Sequence, residues 1–400
     1  MGKTNGSFEE GLQKSVSYEL ILDKNELTHI REVGMSTFSL DEDQRQIQDS
    51  MRRFALDKIR PIARDCEEKA QIPDEFLASS WNLGLTANII PEKYGGYASA
   101  RSVLNNAIIA EELAYGDLSL AAAVMAPYLF VLPVLEMGSD AQKEKHLPSF
   151  CGNSYNAGTL AVMEHDIGFN TANIKTTALR KGNKYVLNGR KCLVPLANRA
   201  QNFIVVASTV SGGGPEGVEA FIVDKSLKGV AIGEKEKNMG INALDTFSID
   251  FQDCQVGMEC RLECLDYTRL IACSRIALAA AAVGVASASK DYCINYAKER
   301  VAFGQPLATR QAIAFMLADM AIEIDGCRLL NWKAAWTADQ KDNPLRLAYI
   351  SKLYASEQAF KISDYGISIL GGHGLIREHP VEMWFRNARA FAMLEGMLMA

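Results

Sequence analysis

The sequence predicts a multi-domain α+β chain: an N-terminal helical domain, a middle β-sheet or barrel domain, and a C-terminal four-helix-bundle domain. Three observations lead there. The spacing of apolar residues changes from 3.6 to 2 near residue 156, and it returns to a helical period near residue 266. Strands grouped in the middle, rather than alternating with helices, argue against a doubly wound sheet. Finally, no Gly-x-Gly-x-x-Gly opens a strand-to-helix turn. The expected segments are 1-35 as an N-terminal extension, 36-155, 156-265 and 266-400.

In the first domain, Ile47, Met51, Phe54, Ala55 and Ile59 recur at three- and four-residue steps, with Pro61 permitted near a helix boundary. The run from Pro91 to Gly96 is turn-rich, and Ala110 to Ala114 is helical. In the middle block, Tyr185-Val186-Leu187 followed by Asn188-Gly189 predicts a strand entering a hairpin turn. Further strands are expected at Phe203 to Ala207, Ala220 to Val223 and Phe247 to Phe251, with Ser211 to Pro215 as an exposed loop. After Asp266 four long helical segments are expected to reach the turn Gly371-Gly372-His373-Gly374, followed by a last helix through Arg386 to Met393.

Composition narrows the functional classes. At 400 residues, 48% hydrophobic and 22% charged, the chain is long enough for two or three domains. A net charge of -6, with both signs interspersed, is the wrong footprint for nucleic acid. Nine cysteines without a regular framework read as reduced thiols and place the protein in the cytoplasm. Cys254, Cys260 and Cys264 lack zinc spacing, so no metal is expected. Residues 1-35 are acidic and carry no long apolar run, unlike a signal or transit peptide. Ile276 to Ala288 is Ala-rich and reads as a buried core helix, not a membrane span.

Along this order of elements runs a set of motifs that together resemble the acyl-CoA dehydrogenase family, from about Phe38 to Met397. They include Pro91 to Gly96, Glu111-Glu112-Leu113-Ala114 with Gly116-Asp117, Ile174-Lys175-Thr176 and Asn188-Gly189-Arg190-Lys191. Further along come Met239-Gly240-Ile241 with Asp245-Thr246, Phe251, and Glu299-Arg300-Val301-Ala302-Phe303-Gly304 with Gln311. Gly371 to Gly374, Pro380-Val381-Glu382, Arg386 to Arg389 and Glu395-Gly396 complete the set. The resemblance implies FAD as cofactor and an acyl-CoA substrate. It implies a reaction in which a carboxylate takes the proton α to the thioester while a β hydride passes to flavin N5.

By the same resemblance Glu395 is the base. The family's other place for it aligns with Ser274, which cannot serve. A Glu works as base when desolvation and geometry suit it to the α carbon. Without the resemblance, Glu395 reads as a solvated carboxylate near a chain end. Arg300 and Phe303 correspond to the pair that meets the FAD pyrophosphate and adenosine from a neighbouring subunit, and Gln311 adds a polar contact. Gly371 and Gly372 would let the backbone approach the cofactor, although a helix cap and tight turn explain them equally. Arg275 matches an arginine near the acyl-CoA pocket, with salt-bridging inside the bundle as an equal reading.

Departures from the family pattern gather at the flavin. The stretch Met163 to Asn170 keeps only Glu164 and Gly168 of the pattern, so backbone N–H groups would have to reach the ring. Leu193-Val194-Pro195 replaces Trp-Ile-Thr, and proline offers neither hydroxyl nor N–H. Ala302, Ser368 and Met397 replace further polar residues, each contact worth about 1 kcal/mol. The segment carrying Glu395 lies near Ala400, so it is expected to fray or to be covered by another subunit. Two functions follow. One is a dehydrogenase passing electrons to an electron-transferring flavoprotein. The other is a non-catalytic, flavin-poor subunit paired with an active relative. The resemblance also implies an oligomer, homomeric or with a related subunit.

Overall fold

The computed structural model describes residues 39–98, 101–210 and 217–400, so the extension 1-35 and the Ser211 to Pro215 loop lie outside the described residues. Gln44–Ala400 form one unit. The first helix of the described residues, α1 (Glu42–Phe54), runs without a break through a π-helical turn, Ala55–Ile59, into α2 (Arg60–Lys69). The wider turn admits Pro61, whose missing N–H and ring would break an α-helix interior. Ala55 and Ile59 are fully buried there, against α4 (Val103–Gly116), where a Cβ on Gly116 would come within 2.7 Å of Ile59.

The short α3 (Asp74–Trp81) precedes α4, whose N-cap Ser102 accepts from the Asn105 N–H. Next come α5 (Leu118–Met125), α6 (Tyr128–Met137) and α7 (Asp140–His146). From Leu118 to Val134, α5 and α6 are almost wholly apolar on every face and therefore buried all round.

The middle domain is one sheet of β1 (Leu160–Ala161), β2 (Thr177–Lys181), β3 (Lys184–Pro195), β4 (Asn202–Ser208), β5 (Val218–Asp224), β6 (Val230–Lys235) and β7 (Thr246–Gly257). Strand β4 pairs antiparallel with β5 and parallel with β1 and β2, and antiparallel pairing continues through β2, β3, β7 and β6. The expected strands are all present.

The hairpin turn is not where Asn188-Gly189 predicted it. It falls at Gly182-Asn183, between Lys181 and Lys184, with Gly182 at φ +62. Asn188-Gly189 instead forms a bulge inside β3, where the register against β7 shifts. Gly189, at φ +143, is required because a Cβ would stand 2.7 Å from Thr176 Cα.

The C-terminal domain is built from α8 (Tyr267–Glu299), α9 (Gln311–Asp339), α10 (Leu345–Leu370) and the shorter α11 (Val381–Ala390). Three long helices, not four, precede the glycine turn, because α8 and α9 are each about twice a usual helix. The last helix stops at Ala390, short of the expected Met393. Helix α8 lies at the centre of the bundle, in contact with α4, α9 and α10. Leu118–Met137 and Tyr267–Glu299 have the length and apolar composition to cross a membrane, but the most apolar stretch of each is 94% buried inside the protein, and every residue of Ile276 to Ala288 is in the core.

Candidate active site

Three elements converge on Glu395: the loop following β1, helix α8, and helix α10. Arg275 donates through Nε to Glu395 Oε1 at 3.1 Å and to Oε2 at 3.3 Å, while Lys352 Nζ reaches Oε1 at 3.0 Å. Each of the three side chains is only 11–12% exposed. Glu395 is therefore a largely shielded, doubly paired carboxylate and not a solvated one. Of the two readings of Arg275, salt-bridging is realised, and its partner is Glu395 itself.

The surroundings are equally fixed. Arg275 also donates to Thr171 Oγ1 at 3.2 Å and lies 5.3 Å from the Tyr349 ring centre. Tyr267 donates to the Thr171 carbonyl at 2.7 Å, and burial, followed by the Glu395 charge, raises its phenol well above the ordinary value. Burial pushes the Lys352 ammonium down, and the charge and hydrogen bond of Glu395 oppose that push. The main chain beside the carboxylate is held too: the Glu395 N–H points to Met163 Sδ at 3.4 Å and the Gly396 N–H to Ser274 Oγ at 3.0 Å.

The segment expected to fray is instead packed against its own chain. Leu394 and Met397 to Ala400 are buried within the same chain. The Ala400 N–H donates to the Cys273 carbonyl at 3.3 Å, and Arg101 donates to the Ala400 carbonyl. The reason is apolar: burying four large side chains in the core outweighs the conformational entropy lost in ordering the segment. Gly396, at φ +69, makes the turn that admits them.

A cavity of about 520 Å³ opens beside Glu395, lined by Gly168, Asn170, Thr171, Arg275, Lys352 and Ser356 among others. Gly168, Arg275 and Glu395 thus come together, while Arg300, Phe303, Gln311, Gly371 and Gly372 line no part of it. A larger cavity of about 760 Å³, between α7 and the sheet, is lined by none of the candidate site residues.

Arg300 caps the end of α8, beside a two-residue hairpin between β8 (Val301–Ala302) and β9 (Gln305–Pro306). Phe303 and Gly304 both have positive φ, +54 and +80, as a tight hairpin turn demands. Phe303 is 95% exposed on that tip, an unusual cost for an aromatic ring without an external partner. Gln311 opens α9 and is exposed.

The two glycines separate. Gly371, at φ +59, is the C-cap of α10, donating to Ile367 and Ser368 carbonyls, so helix capping accounts for it. Gly372 has no left-handed backbone, and a Cβ there would meet nothing within 4 Å. Neither turn geometry nor internal packing requires it.

Lys352 escaped the sequence reading, although a signal existed. Ala348, Ser351, Ala355, Ser356, Ala359 and Ile362 trace the buried stripe of α10, and Lys352 lies in that stripe. Ser274, set aside as unable to act as base, is the acceptor that holds Gly396.

This is the architecture of one class of oxidoreductase. Models of the acyl-CoA dehydrogenase N-terminal, middle and C-terminal domains match residues 41–154, 159–254 and 267–398. The short-chain specific acyl-CoA dehydrogenase of Rattus norvegicus mitochondria is 33% identical over 369 residues, covering 89% of this chain and 87% of that one. Butyryl-CoA dehydrogenase from Megasphaera elsdenii superposes with a TM-score of 0.82 at 30% identity, covering 89% and 94%. The FAD complex of PigA superposes with a TM-score of 0.81 at 25% identity, again covering 89% and 94%. The chain belongs to the acyl-CoA dehydrogenase family.

The residues fit a flavin dinucleotide unevenly. Where the resemblance would put the diphosphate, exposed Arg300, Phe303 and Gln311 and the open face of Gly372 offer charge, a ring and backbone access. Where the resemblance would put the flavin ring, the main chain is largely committed: Leu193 N–H donates to Glu236, Cys192 N–H to Met163, and the Pro195 carbonyl accepts from Thr159. The exposed stretch His165 to Gly168, with Gly168 at φ +75 and open space before it, is the backbone still facing outward.

Proposed function

We propose that this chain is an FAD-dependent acyl-CoA dehydrogenase in which Glu395 removes the α proton of an acyl-CoA thioester. The observation that carries this reading is the largely shielded, doubly anchored Glu395 carboxylate on the wall of a cavity large enough for an acyl thioester. When bound, FAD supplies the acceptor for the β hydride. The protein's own residues do the rest. Glu395 takes the proton, Arg275 and Lys352 hold the carboxylate, and the polar cavity wall orients the thioester.

Arg300, Phe303 and Gln311 would contact FAD across a subunit interface. Exposed apolar residues on the same bundle, Phe315, Ile322 and Leu353 among them, support an oligomer. An electron-transferring flavoprotein is the proposed acceptor of the electrons.

The test is flavin bleaching. The purified protein should carry flavin and lose its colour anaerobically with acyl-CoA, and Glu395→Gln should retain the flavin absorbance without bleaching. Unchanged bleaching in that variant removes Glu395 from the mechanism. One observation favours a second reading: the loss of side-chain donors at Met163, Leu193 and Pro195 suits a flavin-poor subunit that completes a relative's site. A colourless, well-folded preparation would favour it over the enzyme.

A further inference from the structure

The two oxygens of Glu395 are not equivalent. Oε1 accepts from two charged donors, Lys352 Nζ at 3.0 Å and Arg275 Nε at 3.1 Å. Oε2 receives only the longer, shared contact from the same Arg275 Nε at 3.3 Å. A carboxylate has about four lone-pair sites, so Oε2 keeps most of its acceptor capacity. The main chain is pinned on both sides, through Met163 and Ser274. The remaining freedom is that of the side-chain torsions, and those are set by the two cations.

The cations come from different helices, Arg275 from α8 and Lys352 from α10, so the carboxylate bridges two members of the bundle. Arg275 divides its guanidinium between Glu395 and Thr171, whereas the Lys352 ammonium bears on Oε1. A lysine ammonium is a compact point charge with three donors and suits the anchoring of a single oxygen. Placing it in the buried stripe of α10 costs desolvation that only a close anion offsets.

We infer that Lys352 is a positioning residue that fixes Oε1 of Glu395 and leaves Oε2 as the atom that receives the substrate proton. This rests on Glu395 being the base. Removing Lys352 frees the carboxylate to turn about Arg275 alone, which displaces Oε2 without removing it.

The test uses the full chain purified with its flavin and two independent measurements. The first is a thermal-unfolding cycle of Lys352→Met, Glu395→Gln and the double variant. The double variant should lose less in Tm than the two single losses combined, because the pair is coupled. The second is anaerobic bleaching by the best member of a straight-chain acyl-CoA series from butyryl to palmitoyl. Lys352→Met should bleach ~100-fold more slowly, the order expected of a misplaced group. Its apparent Kd for the acyl-CoA should stay within about threefold, since the loss is confined to the transition state. Lys352→Arg keeps the charge but spreads it over a planar fork, so it should recover the Tm coupling more fully than the bleaching rate, a split that a merely structural role would not give.

Unchanged bleaching in Lys352→Met, or additive Tm losses, overturns the inference. Should Lys352→Met fail to fold, Lys352→Gln, which removes the charge but keeps donors, carries both measurements. Wild-type protein bleached by no member of the series sinks the dehydrogenase reading instead, and full bleaching in Glu395→Gln removes Glu395 as the base on which the inference rests. The unfolding cycle then decides the anchor alone.

Discussion

Lys191 donates to Glu164 Oε1 at 2.8 Å with both side chains almost wholly removed from solvent. Burial pushes Lys191 down to about 8, against the attraction of Glu164. Glu164 also accepts the Lys175 and Thr176 N–H groups, each at 2.8 Å, so one carboxylate ties β3 to the chain entering β2. Burial works to raise its proton affinity, but Lys191 and the hydrogen bonds outweigh that and hold it below the ordinary value.

Lys191→Met should therefore destabilise the protein by about 3–5 kcal/mol, because it strands a buried carboxylate. Adding Glu164→Gln should recover part of that loss in urea unfolding. The pH dependence follows from sign. A depressed folded value means the native state binds fewer protons than the unfolded chain. The contribution of Glu164 is then fully present above pH 4.5, its ordinary value, and is lost as pH falls through the depressed one. The wild-type Tm should drop more steeply below that point than the Tm of Glu164→Gln.

Two glycines in the sheet should respond differently to alanine. At Gly189 a Cβ would meet Thr176 main chain at 2.7 Å in a left-handed backbone, so Gly189→Ala should cost about 2–3 kcal/mol. At Gly182 the same change meets open space, and only the positive φ is penalised, by about 1–2 kcal/mol. Urea unfolding of the two variants gives the comparison, and equal losses would contradict the bulge.

The same pair of glycines marks what the sequence could and could not tell. The α, β, α order was legible because a period change depends only on which faces are buried. Asn-Gly, by contrast, permits both a tight turn and a bulge, and the choice was made by packing against Thr176, which no dipeptide records. Glu395 could be picked out by its place in a run of motifs. Its partners could not, because Arg275 and Lys352 are 77 positions apart in sequence and meet only through the packing of α8 on α10. The burial of Met397 to Met399 was foreshadowed by their apolar character, but its location within the same chain was not.

Ser274→Ala should separate support of the site from chemistry. Ser274 is fully buried and its hydroxyl accepts the Gly396 N–H at 3.0 Å. Alanine leaves that N–H without its acceptor, at about 1–3 kcal/mol. Thermal unfolding should register the loss, and Ser274→Thr, which retains a hydroxyl, should lose less. Equal Tm values for Ser274→Ala and wild type would mean that Gly396 is held by other means.

The glycine turn after α10 offers a comparison between two positions two residues apart. A Cβ at Gly374 would lie 2.5 Å from the Ile367 carbonyl oxygen and 2.8 Å from Ile367 Cα. Main-chain atoms of a helix cannot give way, so Gly374→Ala should lower stability by about 2–3 kcal/mol. At Gly372 a Cβ meets nothing within 4 Å and the backbone is not left-handed, so Gly372→Ala should leave stability within about 0.5 kcal/mol. If that open face receives the FAD diphosphate, the methyl group occupies the ligand's space. Flavin absorbance per chain after gel filtration should then fall in Gly372→Ala while its Tm without flavin stays that of the wild-type apoprotein. Full flavin retention in Gly372→Ala would return Gly372 to the role of an ordinary turn residue and leave Arg300 and Phe303 as the groups to test for cofactor binding.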